Sequence, residues 1–293
     1  MDRVPFLDPA WDCHVHVVGT QAAHPMLPDR AYTPGPASAD DLRHHMAALG
    51  LARAVIVQPS IYGTDNRLLV DALTALDGAG RGVAVLDEAV TDAELNRLHV
   101  AGVRGLRINL ESTGASHAAA ATQALAAWAG RLAGQGWHMQ VYASLDAIAS
   151  VAPALARLPM PVVLDHFAMI PADVPLDDSR VRQVLDLVGS GSAYIKLSAS
   201  YRISTDPDDA DQAVRIAALA QAIVQCHPER ALWGSDWPHT NREPGKAPTE
   251  VSAYRHVPLQ RLQREVLAWF PNDALRRQVL TVNPQRLYGF DQS

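Results

Sequence analysis

With 293 residues, 48% hydrophobic and 19% charged, the chain has the composition of a soluble globular protein and the length to bury a sizeable core. A formal net charge of −6 and the lack of any basic run exclude nucleic acid as its main partner. Two cysteines, Cys13 and Cys226, are too few for a disulfide framework, and no stretch approaches the roughly 20 apolar residues that span a bilayer. With no apolar signal-peptide core at the N-terminus, a cytoplasmic protein without membrane contact is expected.

In chain order, the first apolar run is "WDCHVHVV". Read as a strand, it alternates faces, with Asp12, His14 and His16 on one side and Cys13 and Val15 on the other. Cys13 reads as a small packing residue. A helix then starts after Ser38 and ends at Gly50. The second run, "ARAVIVQPS", leads to Ser60 and Tyr62, and the third is "GVAVLDE". Thr91 with Glu94 three residues on predicts a capping box, and Gly102 closes that helix. In the fourth run, "GVRGLRINL", Arg104 and Arg107 fall on opposite faces, and only Arg107 shares a face with Asn109. The fifth and sixth runs, "HMQVYAS" and "PVVLDHFA", bring Tyr142 and His166. Asp177 or Asp178 opens a helix that ends near Gly189. The seventh run, "AYIKLSAS", places Lys196, Ser198 and Ser200 on one face, with Lys196 expected in an ion pair with Asp12. The eighth, "ALWGSDWPH", ends on Asp236.

Eight such runs alternating with helical segments predict an α/β protein, a (β/α)8 barrel of the TIM type formed as a single domain over residues 1–293. An open doubly wound sheet is the alternative, but no G-x-G-x-x-G follows an early strand. Barrel enzymes carry their chemistry at the C-terminal ends of the strands. His14, His16, His166 and Asp236 all fall there, and polar groups inside a barrel are costly unless they pair or act. They are the candidate catalytic set. Arg107 is the candidate substrate anchor, with Tyr142, Ser60 and Asn109 beside it. His44, His45, His99, His117 and His138 sit in or beside helices or at a strand start and are expected to play no part.

At these residues the chain resembles the amidohydrolase superfamily, in its amidohydrolase 2 branch of pyrone-dicarboxylate, muconolactone and sugar-acid lactonases. The resemblance rests on "DCHVHVV", "RAYTPGPAS", "VQPSIYGTDN", "GVRGLRIN", "VLDHFA", "LWGSDWPHTN" and "NPQRLYGF". It implies a distorted barrel that opens a small anionic lactone, with Asp236 as general base and His14, His16 and His166 as site histidines. It further implies that Tyr32, Arg107, Tyr142 and Arg202 contact substrate, and His239 joins them in the substrate-binding set. No required cofactor is expected; the alternative is a single divalent ion such as zinc on His14, His16 and Asp236. The resemblance also admits a homo-oligomer. Pyrone-dicarboxylate members carry arginines after the fourth and sixth strands, whereas "INLESTG" and "DHFAMIP" have none. A substrate with fewer or differently placed anionic groups is therefore expected. Rival readings on the same scaffold are a metal-dependent decarboxylase, a lactone isomerase and a non-catalytic binding barrel.

Overall fold

A β-branched or apolar run followed by a Ser, Thr or Asp cap recurs along the chain, and each recurrence builds one strand and one helix. The computed structural model describes residues 6–110, 118–206 and 208–289. The barrel strands are β1 (Ala10–Val15), β2 (Leu51–Val57), β3 (Gly80–Ala84), β4 (Val103–Asn109), β5 (His138–Tyr142), β6 (Val162–Leu164), β7 (Ala193–Ser198) and β8 (Ala231–Gly234). Each is parallel to the next, in sequence order. This is the TIM-barrel arrangement of eight parallel strands and outer helices. His117 and residues 111–114 of the loop after β4 lie outside the described residues.

The seam between β8 and β1 closes at the strands' C-terminal ends. There Asp236 N donates to His14 O at 2.9 Å, and His16 N donates to Trp237 O at 2.8 Å. The same two bonds fix the backbone on which three of the candidate catalytic residues stand. Gly234 lets the strands approach this closely, because a Cβ there would lie 2.6 Å from His14 Cβ.

The simple alternation expected for β1 fails. Asp12 pairs with Ala54 and Val15 with Ile56, so β1 advances three residues while β2 advances two. Such a bulge resets which face a side chain takes. Asp12 thus departs from the face of His14 and His16. Its Oδ1 accepts from Ser235 N at 2.9 Å and His14 N at 3.1 Å, and its Oδ2 lies 3.7 Å from Nε2 of His45 on helix α1 (Ala39–Leu49). Asp12 is a staple across the seam, and His45 is its outer partner. Cys13 instead packs inside the barrel with Trp11, Val55, Val83, Val163 and Leu232.

Caps follow the residues expected, with two changes. Ser38 makes a full capping box with Asp41, and Asp178 caps the helix Ser179–Gly189. Thr91 receives Glu94 N, but the Glu94 carboxylate turns to Arg97 rather than back to the cap. The glycine expected to close the Asp178-capped helix is also displaced: the helix runs through Gly189, and the positive φ of 78° falls at Gly191.

Candidate active site

Side chains from seven strand ends or the loops that follow them meet over the C-terminal mouth of the barrel. Their backbone there is unusual. His166, Phe167, Ala168 and Met169, which follow β6, all have φ between 49° and 56°. Ala199 after β7 and Asp236 after β8 are left-handed as well, at 52° and 62°. Non-glycine residues reach this region only when surrounding structure holds them there, and it is a common mark of functional sites.

Asp236 is fully buried and its two oxygens differ. Oδ2 accepts from Tyr201 Oη at 2.5 Å, Arg202 Nη2 at 2.9 Å and Arg202 Nε at 3.0 Å. Oδ1 has no hydrogen-bond partner among the described residues. Around it stand His16 Nε2 at 3.4 Å, His14 Nε2 at 3.7 Å and His166 Nε2 at 3.9 Å. Burial alone would raise the Asp236 carboxyl. Arg202 above all, and then His166, outweigh it and hold the group well below the usual carboxylate range.

Each histidine is tethered through its other ring nitrogen. His16 Nδ1 lies 2.7 Å from Val57 O and donates to it; His14 Nδ1 lies 3.3 Å from Asp165 Oδ1 and 3.5 Å from Lys196 Nζ, and His166 Nδ1 lies 2.9 Å from Ser198 Oγ. A Nδ1–H given to a carbonyl or carboxylate leaves Nε2 with a lone pair. Burial pushes His14 well below its ordinary value and His166 down to about 4, so both are neutral at pH 7.

Ring nitrogens gathered this closely around an unpartnered carboxylate oxygen favour a cation or a proton among them. Ligand atoms of His14, His166 and Asp236 all fall within 4.8 Å of one another. The expected metal set named His16 in place of His166. Both rings reach Asp236 Oδ1, and the Nδ1 tethers are those that orient metal-bound histidines. The residues fit a single divalent ion.

Beneath them lies a second buried carboxylate that sequence reasoning missed. Asp165 precedes His166 and accepts from Gln140 Nε2 at 3.0 Å. Lys196 Nζ donates to Gln140 Oε1 at 2.7 Å and stands 3.7 Å from Asp165 Oδ1. Asp165, not Asp12, is therefore the partner of Lys196, because the bulge turned Asp12 outward. Burial lowers Lys196 to about 8, against the pull of Asp165. For Asp165, burial is outweighed by His14 and Lys196, and the carboxyl stays well below its usual range.

Above this floor a cavity of about 370 Å³ opens. His16, His166, Arg107, Asn109, Tyr142 and Arg202 line it, joined by Tyr32 and Ser60 from the loops after β1 and β2. Arg107 Nε lies 3.5 Å from Asp165 Oδ2, and its guanidinium sits 5.3 Å from the Tyr142 ring centre. Two expected residues fall elsewhere. His239 turns away after the left-handed step at Asp236 and lines the neighbouring cavity with His45 and Trp237. It does not line the cavity above Asp236. Ser200 donates to Glu265 Oε1 on the outer helix Leu259–Trp269.

Tyr201, Arg242 and Arg255 were not singled out from sequence. Tyr201 sits beside Arg202, in a turn whose direction no local pattern reveals. The two arginines come from the long segment after β8. That segment is tied to the loop after β1 by a small parallel pair, Thr33–Pro34 with Val251–Ser252.

Among known proteins, the family described as Amidohydrolase matches residues 11–290. A 2-pyrone-4,6-dicarboxylate hydrolase of Comamonas testosteroni is 33% identical over 286 residues, 95% of this chain and 90% of that protein. A 4-sulfomuconolactone hydrolase of Rhizobium radiobacter is 30% identical over 283 residues, 96% and 90% of the two chains. The crystal structure of a Pseudomonas putida protein, provisionally assigned as a 2-pyrone-4,6-dicarboxylic acid hydrolase, superposes with a TM-score of 0.79. It is 30% identical, with 97% of this chain and 99% of that one covered.

Proposed function

The chain belongs to the amidohydrolase family, and from that premise we propose that it hydrolyses the ring ester of a small carboxylated lactone. The observation that carries the reading is the unpartnered Oδ1 of Asp236, held ionised at the floor of a cationic cavity by Arg202 and Tyr201. The similarity to 2-pyrone-4,6-dicarboxylate and 4-sulfomuconolactone hydrolases supports a lactone as the substrate class.

In this reading Arg107 anchors a substrate carboxylate through a charge-assisted contact, and Tyr142 packs against the ring. Water placed beside Asp236 Oδ1 attacks the ring carbonyl as Asp236 takes its proton. The new C–O bond forms, the ring C–O bond breaks, and Asp236 returns the proton to the departing alkoxide. Product is the ring-opened hydroxy acid. Arg202 keeps its hold on Oδ2 throughout, so the carboxylate does not swing away from the water. His14, His16 and His166 surround Asp236 Oδ1, the oxygen that takes the proton. His14 and His166, kept neutral by burial, turn Nε2 toward Asp236 Oδ1, which suits them to hold a divalent ion. Such an ion, when bound there, polarises a carbonyl and lowers the pKa of water.

The test is acid release from a panel of five- and six-membered carboxylated lactones, beside metal analysis and a chelator challenge. Turnover of at least one lactone, lost in Asp236→Asn, is the expected result. Carbon dioxide release from an unsaturated acid, with every lactone left intact, overturns the proposal.

A further inference from the structure

The cavity described above carries a feature that ring opening does not use. Four arginines line it, Arg107, Arg202, Arg242 and Arg255, and no carboxylate is among its described lining residues. The inner two are engaged, Arg202 by Asp236 and Arg107 beside Asp165. The outer two are exposed at the rim, and neither has an ion pair among the described residues.

The nearest acidic groups in sequence or in the adjoining cavity are committed elsewhere. Glu243, next to Arg242, takes Lys246 Nζ and accepts from Ala253 N at 2.7 Å. Asp41, which lines the neighbouring cavity with Arg255, is locked in the capping box of Ser38. Two guanidinium groups presented to one rim without a counter-charge repel each other, and an anion placed between them removes that cost.

The position of Arg255 is also fixed. Arg255 N donates to His239 O at 2.9 Å, and the Arg255 guanidinium sits 5.3 Å from the Tyr201 ring centre. The hydroxyl of that same ring holds Asp236. One aromatic side chain thus spans the interval between rim cation and base. The parallel pair Thr33–Pro34 with Val251–Ser252, the Thr33 Oγ1 bond to Pro248 O at 2.6 Å and the bond from Tyr254 Oη to Gly35 O brace the segment.

We propose that Arg242 and Arg255 form a second anion subsite at the mouth of the cavity, selecting substrates with a carboxylate or sulfonate on the side away from the scissile carbonyl. This rests on the lactone-hydrolase reading for the identity of the substrate, though not for the existence of the subsite. The arginines missing after β4 and β6 are, on this view, replaced from the segment after β8.

The test separates the two ideas. Calorimetric titration compares isophthalate, a ring with two carboxylates, with benzoate, the same ring with one. Wild-type protein is expected to bind isophthalate at least about tenfold more tightly, the scale of one added charge-assisted contact. The double variant Arg242→Gln/Arg255→Gln should bring that ratio close to one, and Arg242→Lys/Arg255→Lys should leave an intermediate preference. Circular dichroism and melting curves check that each variant folds. A wild-type ratio near one, or a ratio unchanged in the glutamine double variant, overturns the subsite. If the ratio behaves as expected but no lactone is turned over, the subsite stands and the lactone reading falls.

Discussion

The lower half of the barrel interior and its C-terminal mouth are built from the same eight strands, yet they solve opposite problems. Below, Trp11, Cys13, Val55, Val83, Val163 and Leu232 pack against Tyr288 in an apolar plug. A few strand residues higher, Asp165, Asp236, Lys196 and three histidines are buried at 0 to 5% exposure. Left-handed, strained backbone accompanies the mouth and not the plug. Of the non-glycine residues with positive φ among the described residues, all but Asp77 follow β6, β7 or β8. The lower region is built for packing free energy, and it holds in place an upper region whose buried charges would not be stable alone.

The contrast can be broken most sharply at Asp236. Asp236→Asn keeps the shape and removes the proton acceptor, so kcat should fall by about 10²–10⁴ in steady-state assays with the melting temperature lowered only moderately. An activity near that of wild type would remove the distinction drawn between the two regions. Leu232→Ala should do the reverse. The cavity it leaves in the plug costs about 2–5 kcal/mol in chemical denaturation, while kcat measured on the folded protein stays within about threefold. Gly234→Ala lies at the boundary. Its new Cβ meets His14 Cβ, so it should cost about 1–3 kcal/mol of stability and also lower kcat, a combination neither neighbour shows.

A smaller effect comes from pH. Burial depresses His166 and His239 to about 4 and His138 to about 3. An unfolded chain protonates its histidines near 6.5, so these groups stabilise the fold above that pH and lose the contribution as pH falls toward 4. Each adds a slope of about 1.4 kcal/mol per pH unit within that window. His138 belongs to the lower interior, against Tyr288. His138→Gln should therefore flatten the fall in melting temperature between pH 6.5 and 4 without altering substrate preference. An unchanged slope would show that His138 is not held neutral.

Much of this was legible before any coordinates. Period-two runs, caps at Ser38 and Asp178, and glycine at 50 mark strands and helices because those signals are local. His14, His16, His166 and Asp236 stood out as polar residues at strand ends. The bulge in β1 was not legible. It inserts one residue through pairing with β2, and Asp12 and Cys13 exchanged their expected faces as a result. Asp165 was hidden for a related reason, since a lone carboxylate beside a histidine announces nothing until Lys196 and Gln140 arrive from other strands. His239 was misplaced because a left-handed backbone step redirects every side chain after it.

The sequence by itself determined the succession of strands and helices and the chemical types gathered at the strand ends, because hydrophobic period and capping act over a few residues. Only the tertiary structure decided which nitrogen of each histidine faces Asp236, which oxygen of Asp236 is open, and that arginines from the segment after β8 face the cavity. Those outcomes depend on contacts between residues far apart in the chain, such as Asp12 with Ser235, 223 positions on. Nothing in the local chain encodes such distances. They are set when eight strands close into a ring and bring its first and last members together.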